Sequence, residues 1–280
     1  YAKNMLSNFY GDVDGYIYVR NVVVNCRKVP LVNAFRLTNR LWAVVENGRV
    51  RVVEQKVKAV SRLRELRELW IAQHRRIMEG DRELYKQTLT PVVVQHGSSF
   101  KEAGDSEIDK LSKAYEKYLE HRSLIPAFKT SIPADNILFK EVLGLRFYGY
   151  LFNPRQALAL AVISGYVRRR FEELREEGEF GAAVALYLAL GVSRLVDFNS
   201  ILTSWNYWTK TIRDSTGSYY RGRKLELDEV YAEGVVPYRT LPWIYEPWVK
   251  GETRGGICPV LRELAEALED KDGMVEVYIC

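Results

Sequence analysis

The sequence is poor in the residues that form disulfides and hold metal ions. Its three cysteines, Cys26, Cys258 and Cys280, are far apart and odd in number, which argues against a disulfide framework and for a reducing compartment. A structural zinc ion normally takes four cysteine or histidine ligands, often paired as Cys-x-x-Cys. No such pair occurs, and none of the three histidines lies near a cysteine, so we expect no metal site.

Long apolar runs are also missing. A helix that crosses a bilayer needs roughly 20 predominantly apolar residues, whereas the most apolar stretch, residues 182–196, is shorter and contains Arg194. This stretch predicts a buried helix of a folded protein. The first residues lack the basic, apolar and small-residue order of a secretory signal. We therefore expect a cytoplasmic protein that has no membrane partner.

The short motifs of nucleotide chemistry and hydrolysis are absent as well. A glycine-rich turn that lets the backbone approach a nucleotide or S-adenosylmethionine does not occur after any predicted strand. No Pro-Pro pair is present, which excludes the Asp/Asn-Pro-Pro-aromatic turn that binds the amine of a flipped adenine. Gly-x-Ser-x-Gly and His-Glu-x-x-His are missing too. These absences exclude a self-contained active site of these kinds.

The first 55 residues predict a small antiparallel β module. Apolar and polar residues alternate in strand fashion at 16–19, 21–25, 41–45 and 49–53. Asn47-Gly48 separates the last two strands and predicts a tight hairpin. We take residues 1–55 as the first domain.

Residues 56–125 predict a helical arm, which we take as the second domain. Its first helix, at 57–79, has apolar residues at helical spacing, and its second begins near Ser106 as the N-cap. The first helix is also basic between residues 56 and 76. That basic face is either simply solvated, which is the favoured interpretation, or a contact for nucleic acid.

The third predicted domain, residues 126–280, is helical and irregular. Asn153 is a good N-cap and Pro154 fits the first helical turn, so a helix begins there and continues to Gly178. The apolar helix at 182–196 follows it.

The end of the chain predicts a helix at 257–269 and a last strand at 274–280. Because the sequence stops in a strand, we expect a clipped chain or one half of a split protein, with that strand joining a sheet supplied by other polypeptide. The expected fold class is α+β and mainly helical: a β module, a helical arm, and a helical region that ends in the sheet-joining strand.

A basic and aromatic segment at 207–224 is the best candidate binding site. The formal net charge of the chain is only +5, but here five cations face a single acid and four aromatic residues lie among them. Cations pair with phosphates, and aromatic faces stack on exposed bases. The alternative is a solvated loop whose aromatic side chains turn inward to the core.

Asn199, Trp205 and Asn206, just past the apolar helix, are further candidates. Residues at the end of an element can be presented to a ligand. They serve equally well as capping and turn residues, and both interpretations stay open.

Four groups of short stretches, spread over nearly the whole chain, follow one pattern. They are DGYIYVR (14–20) with Asn25, Cys26 and VPLV (29–32); LGLRF (143–147) with LFNPRQ (151–156); YLAL (187–190) with the residues at 194–206; and LPW (241–243) with Tyr245 and Glu246. Together they resemble the adenine-specific DNA methyltransferases that carry a zinc-ribbon insert, a family common in archaea and bacteria and in restriction–modification.

The resemblance implies binding of double-stranded DNA and completion of a methyltransferase fold, without independent catalysis. The family's glycine-rich cofactor loop precedes this region and its Asp-Pro-Pro-Tyr turn follows it, and neither motif is in this sequence. A second chain or missing segments would carry both motifs, and S-adenosylmethionine would be a cofactor of the assembled enzyme only. Of the insert's cysteine pairs only Cys26 is present, so the β module is expected to be a degenerate zinc ribbon.

No catalytic residue is expected in this chain. The expected DNA-binding residues are Arg155, Asn199, Trp205, Asn206, Lys210, Arg213, Tyr219, Tyr220, Arg221, Arg223 and Lys224.

A rival interpretation is a non-catalytic, methyltransferase-derived subunit with a structural or protein-interaction role. A weaker third interpretation is an RNA-modifying relative. High charge with abundant arginine and glutamate and little glutamine is also typical of a thermophile.

Overall fold

The computed structural model describes residues 2–90, 92–133, 144–213, 227–236 and 240. It is mixed α+β, 47% helical and 24% strand, with small antiparallel sheets, which confirms the expected α+β class. The predicted helix at 257–269 and the predicted last strand at 274–280 lie outside the described residues.

The α-helices of the described residues are α1 (Ala2–Ser7), α2 (Leu63–Glu79), α3 (Arg82–Thr88), α4 (Asp105–His121), α5 (Pro154–Arg175) and α6 (Glu179–Phe198). The strands are β1 (Gly15–Val19), β2 (Asn21–Val24), β3 (Arg27–Pro30), β4 (Ala34–Arg36), β5 (Trp42–Glu46), β6 (Arg49–Val53), β7 (Val92–His96), β8 (Ser99–Glu102), β9 (Ser204–Asn206), β10 (Thr211–Arg213) and β11 (Val230–Gly234).

Strand β1 lies inside a four-stranded antiparallel sheet with the order β11-β1-β7-β8. Its Ile17 is paired with Ala232 on one side and with Val93 on the other. Each of the three segments that the sequence analysis separates at residues 55 and 125 therefore contributes a strand to this sheet.

The two faces of β1 cover two hydrophobic clusters, because successive side chains of a strand point to opposite sides. Tyr16 and Tyr18 pack into a larger cluster with residues of α2, α4 and α5. Ile17 and Val19 pack into a smaller cluster with residues of the three-stranded β4-β5-β6 sheet. The central sheet is thus a middle layer between helices and a second, smaller sheet.

The hairpin predicted from Asn47 and Gly48 is confirmed. These residues connect β5 to β6, in which Glu46 pairs with Arg49. Their φ angles are 52° and 75°, the double positive φ that a two-residue hairpin turn requires and that Asn-Gly adopts readily.

Helices α2 and α4 do not begin where the sequence predicts. Helix α2 begins at Leu63 instead of residue 57, because the preceding residues are hydrogen-bonded to the segment that follows β3: Arg62 N donates to Leu31 O at 2.7 Å and Val60 N to Asn33 Oδ1 at 2.6 Å. Helix α4 is capped by Gly104, not Ser106.

The predicted start of α5 is confirmed. The Asn153 side chain accepts from Gln156 N at 2.8 Å, and the Gln156 side chain accepts from Asn153 N at 2.9 Å. This reciprocal capping satisfies two backbone donors that a helix start otherwise leaves unpaired. The helix ends at Arg175, and Gly178, with φ of 81°, precedes α6.

Helix α6 is less buried than its composition predicts. It packs on α5 through small side chains, and a Cβ atom on Gly181 would lie only 1.8 Å from Leu174 O. Its outer side is open: Phe180 is 77% and Leu190 51% exposed. The expectation of a buried helix is therefore wrong for this side. By length and composition alone, α6 is also the one helix of the described residues that meets the criteria for a membrane span.

Candidate nucleic-acid interface

The described part of the predicted binding segment forms a hairpin of β9 and β10, in which Asn206 pairs with Thr211. The turn at 207–210 is closed locally, because Trp208 N donates to Asn206 Oδ1 at 3.1 Å. Lys210 ends the turn with φ of 55°, a left-handed conformation that is uncommon outside glycine.

Trp205 anchors the hairpin to the rest of the fold. Its indole Nε1 donates to Leu37 O at 2.9 Å, and its ring meets the ring of Phe100 edge-on at 5.7 Å. The side chain is buried, because alternation along β9 directs Trp205 inward. Packing of Trp205 therefore fixes the position of the turn relative to the β4-β5-β6 sheet.

The turn presents an aromatic pair with a cation stacked on it. Trp208 is 61% exposed, and its ring lies 5.3 Å from the half-buried ring of Tyr207. The guanidinium of Arg36, from β4, lies 4.4 Å from the Tyr207 ring and 5.6 Å from the Trp208 ring. We call Arg36, Tyr207, Trp208 and Lys210 the aromatic–basic cluster.

Both cations of this cluster are available for an anionic ligand. Arg36 is oriented by two backbone carbonyls, since Nε donates to Thr38 O at 3.1 Å and Nη2 to Asn39 O at 3.2 Å. Within the described ranges, no carboxylate forms an ion pair with Arg36 or with the exposed Lys210. A planar cation on an aromatic face and an exposed tryptophan together suit phosphate binding and base stacking.

The predicted DNA-binding residues are divided by the structure into three groups. Asn206, Lys210 and Arg213 lie on the hairpin, with Asn206 and Arg213 half-buried. Five others lie outside the described residues: Tyr219, Tyr220, Arg221, Arg223 and Lys224. The last three, Arg155, Asn199 and Trp205, are buried, which corrects their expected position at a DNA-facing surface.

Arg155 is 1% exposed because it belongs to a buried network around Glu233. Its Nε donates to Glu233 Oε1 at 2.9 Å, and its Nη2 donates to the Tyr18 hydroxyl at 2.6 Å. The guanidinium also lies 4.3 Å from the ring of Tyr10 and 3.9 Å from that of Tyr16. All of these partners are inside the protein, so Arg155 acts within the fold.

Glu233 accepts four hydrogen bonds, enough to compensate for the loss of water. Besides Arg155, its donors are the Tyr10 hydroxyl at 2.9 Å, the Tyr18 hydroxyl at 2.7 Å and Asn153 Nδ2 at 3.1 Å. Burial and then the Glu233 charge raise the pKa of Tyr10 well above its usual value, which keeps this hydroxyl a donor.

The charge of Arg155 is retained in this interior. Burial alone would lower the pKa of Arg155, but Glu233 and the neighbouring tyrosines raise it, and the net pKa lies well above that of a solvated arginine. The network joins β1, β11 and the start of α5 in the interior of the protein.

Sequence reasoning missed Arg36 and Glu233. Arg36 lies far from the hairpin in the sequence and carries no motif. Glu233 is the fourth residue of a strand, and the only available signal was an acidic residue within an otherwise apolar stretch.

The predicted zinc-ribbon remnant has no ligand set in the described residues. Cys26 is exposed in the tight turn between β2 and β3, with φ of 60°. No group of three or more histidine, cysteine, aspartate or glutamate side chains suited to a metal ion occurs in the described part of the chain.

Comparison of the chain with family models, with curated proteins and with solved structures finds no match.

Proposed function

We propose that this chain binds DNA through the aromatic–basic cluster, as the target-recognition portion of an adenine-specific, S-adenosylmethionine-dependent DNA methyltransferase. The observation that carries the DNA-binding part is the exposed Trp208, paired with Tyr207 and stacked beneath a cation that has no carboxylate partner in the described ranges. Lys210 adds a second cation at the same turn.

This arrangement suits DNA whose bases are being unstacked. Enzymes that modify a base rotate it out of the duplex, which leaves neighbouring base faces uncovered. An exposed tryptophan can stack on such a face, while Arg36 and Lys210 pair with the flanking phosphates.

The assignment to methyl transfer rests on the sequence resemblance, which includes the LFNPRQ start of α5 and the residues that follow α6. The described residues offer no glycine-rich turn between a strand and a helix for S-adenosylmethionine, and we derive no step through that cofactor in this chain. Methyl transfer to the adenine amine is assigned to polypeptide that carries the two missing motifs.

The experiment is a titration of fluorescent duplex DNA, intact or containing one unpaired adenine, with the full chain at several salt concentrations. Stacking contributes roughly 1–3 kcal/mol per base, so Trp208→Ala should raise Kd by about 5- to 150-fold. Arg36→Gln should weaken binding and reduce the slope of log K against log salt by about 0.9.

The matched control is Phe180→Ala, which removes an exposed aromatic side chain from α6. Its DNA affinity should equal that of the wild type. Equal loss in Phe180→Ala and Trp208→Ala, or no loss in either, would reject the aromatic–basic cluster as the DNA contact.

The exposed apolar side of α6 supports a second candidate, a non-catalytic subunit that binds another protein. Phe180 and Leu190 are large apolar side chains at a surface, a feature of protein interfaces. The two candidates differ in the neighbouring reading frames: the methyltransferase proposal requires a glycine-rich loop and Asp-Pro-Pro-Tyr there, and the subunit proposal requires neither.

A further inference from the structure

Helix α6 presents a regular row of side chains on its exposed side. The row consists of Phe180, Ala183, Tyr187, Leu190 and Arg194, whose spacing alternates between three and four residues. This spacing places all five residues on one side of a helix. Four of them are exposed, with Phe180 at 77% and Leu190 at 51%, and Tyr187 is half-buried. We call these five residues the outer stripe.

The opposite side of α6 already has its partner inside the protein. Leu195 belongs to the larger hydrophobic cluster, and Leu188 and Val192 pack against it. Helix α6 is therefore apolar on two opposite sides, and the described residues bury only one of them. A contiguous apolar surface that stays exposed is a feature of interaction sites.

A lipid bilayer fits the outer stripe poorly, although α6 meets the criteria of length and composition for a membrane span. The chain passes from α5 into α6 through a turn with three exposed carboxylates, those of Glu176, Glu177 and Glu179. Charged side chains inside a bilayer are costly, and anionic headgroups repel carboxylates. A protein partner is therefore the better occupant.

The spacing of the outer stripe indicates that this partner is a helix. Alternation between three and four residues is the pattern by which two helices pack side by side at a small crossing angle. The stripe runs from residue 180 to residue 194, about 21 Å along the helix axis. It therefore suits a partner helix of about four turns.

The outer stripe is complementary to itself when two copies of α6 run antiparallel. About a two-fold axis at Tyr187, residues at equal distances before and after Tyr187 face each other. Leu190 follows Tyr187 by three residues and Ala183 precedes it by four, so a large side chain lies against a small one. Phe180 and Arg194 are each seven residues from Tyr187, which brings a guanidinium to an aromatic ring.

The charges at the two ends of α6 favour the same antiparallel direction. Its start is acidic, with Glu176, Glu177 and Glu179 exposed. Near its end lies Arg194, whose side chain is 45% exposed although it pairs with Asp197 at 2.7 Å. Antiparallel copies bring the acidic start of one helix to Arg194 of the other, whereas parallel copies would bring the two acidic starts together.

We propose that the outer stripe is the contact between two copies of this chain, which pack antiparallel through α6 about a two-fold axis at Tyr187. Five side chains from each copy are fewer than the roughly 20–30 residues a side of a standard interface. The dimer is therefore weak, with a dissociation constant in the micromolar range. This proposal does not depend on DNA binding.

The test is sedimentation velocity of the full chain at concentrations from about 1 to 500 µM, the range in which a weak dimer dissociates and forms. We expect the average mass to rise from that of one copy towards that of two. A chain that keeps the mass of one copy over this range would overturn the proposal, whether a bilayer, a different protein or another part of the chain then covers α6.

A charge within the stripe should prevent dimer formation. Leu190→Glu places a carboxylate in the contact and should raise the dissociation constant at least about 100-fold. The matched control is Leu124→Glu, at a leucine that is 72% exposed and lies outside α6, and it should dimerise like the wild type. Equal dissociation constants for Leu190→Glu and the wild type would exclude the outer stripe as the contact.

A double variant tests the antiparallel direction. Arg194→Glu places a carboxylate near the acidic start of the other copy and should raise the dissociation constant about tenfold. Adding Phe180→Lys gives that carboxylate a cation across the contact and should restore most of the lost affinity. In parallel copies each new charge would face its own kind, so a double variant weaker than Arg194→Glu would refute the antiparallel contact. Circular dichroism verifies that each variant is folded.

Two variants separate this proposal from the proposed function. Trp208→Ala should lose DNA affinity and dimerise like the wild type. Leu190→Glu should remain monomeric and keep its affinity for a duplex that is only long enough for one chain. Loss of dimer formation in Trp208→Ala would place the contact at the aromatic–basic cluster instead of α6 and would overturn the proposal.

Discussion

The buried pair of Arg155 and Glu233 gives a stability prediction that follows directly from its contacts. In Glu233→Gln the guanidinium of Arg155 stays buried without its countercharge. Breaking a buried pair by removing one partner costs roughly 3–5 kcal/mol, a large part of the roughly 5–15 kcal/mol that stabilises a typical domain. We therefore expect the unfolding equilibrium constant of this variant to rise by about two to four orders of magnitude.

The assay is urea unfolding followed by far-ultraviolet circular dichroism at constant pH. Glu116→Gln is the matched control, because it breaks the ion pair of Glu116 with Arg82, whose side chains are both exposed. Exposed pairs contribute roughly 0–1 kcal/mol, so this control should unfold almost like the wild type.

A double variant tests the cause of the loss. Combining Glu233→Gln with Arg155→Met removes both charges and leaves the oxygen of the introduced amide to accept from one tyrosine hydroxyl. Its destabilisation should be smaller than the sum of the two single losses by roughly 0.5–3 kcal/mol. A loss below about 1 kcal/mol in Glu233→Gln, or strict additivity in the double variant, would refute the explanation.

Three further predictions concern the surface charge, a buried histidine and a helix contact. Combined charge reversal of Lys210, Arg213 and Arg223 should weaken DNA binding and flatten its dependence on salt. An unchanged salt slope would exclude these residues as phosphate contacts. Burial lowers the pKa of His74 to about 4 in the folded protein, below its value of about 6.5 in the unfolded chain. Between these two pH values the unfolded chain binds a proton at His74 that the folded protein does not bind. The free energy of unfolding therefore falls as the pH drops from about 6.5 towards 4. The stability difference between wild type and His74→Gln, measured in urea, should shrink over that window by up to about 1.4 kcal/mol per pH unit, and a constant difference would contradict this. Gly181→Ala should lower the melting temperature because its Cβ would lie 1.8 Å from Leu174 O. The control Gly165→Ala, with no atom within 4 Å of its Cβ, should be neutral or stabilising by roughly 0.5–1 kcal/mol. Equal effects of the two substitutions would show that the contact of α6 with α5 is not close.

Local features of the fold could be predicted from the sequence where local physics decides them. The Asn47-Gly48 turn requires two positive φ angles, and few other dipeptides adopt them readily. Asn153 and Pro154 start α5 because capping and a fixed φ act within one helical turn.

Long-range features could not be predicted from the sequence in the same way. Alternation in β1 predicts a strand but not its partners, which lie about 75 and 215 residues further along the chain. The apolar composition of α6 gives no information about how much of its circumference another element covers. The LFNPRQ stretch predicted a DNA contact for Arg155, whereas the partner that holds this residue in the interior, Glu233, is distant in sequence.

The pairing of β1 with β11 has a consequence for how the protein forms during synthesis. The first strand leaves the ribosome long before residues 230–234, so one edge of β1 must wait without its neighbour while more than two hundred residues are added. Contacts between such distant segments close slowly, and an unpaired strand edge can associate with other chains in the interval. Arg155 likewise stays hydrated until β11, the strand that carries Glu233, docks against β1.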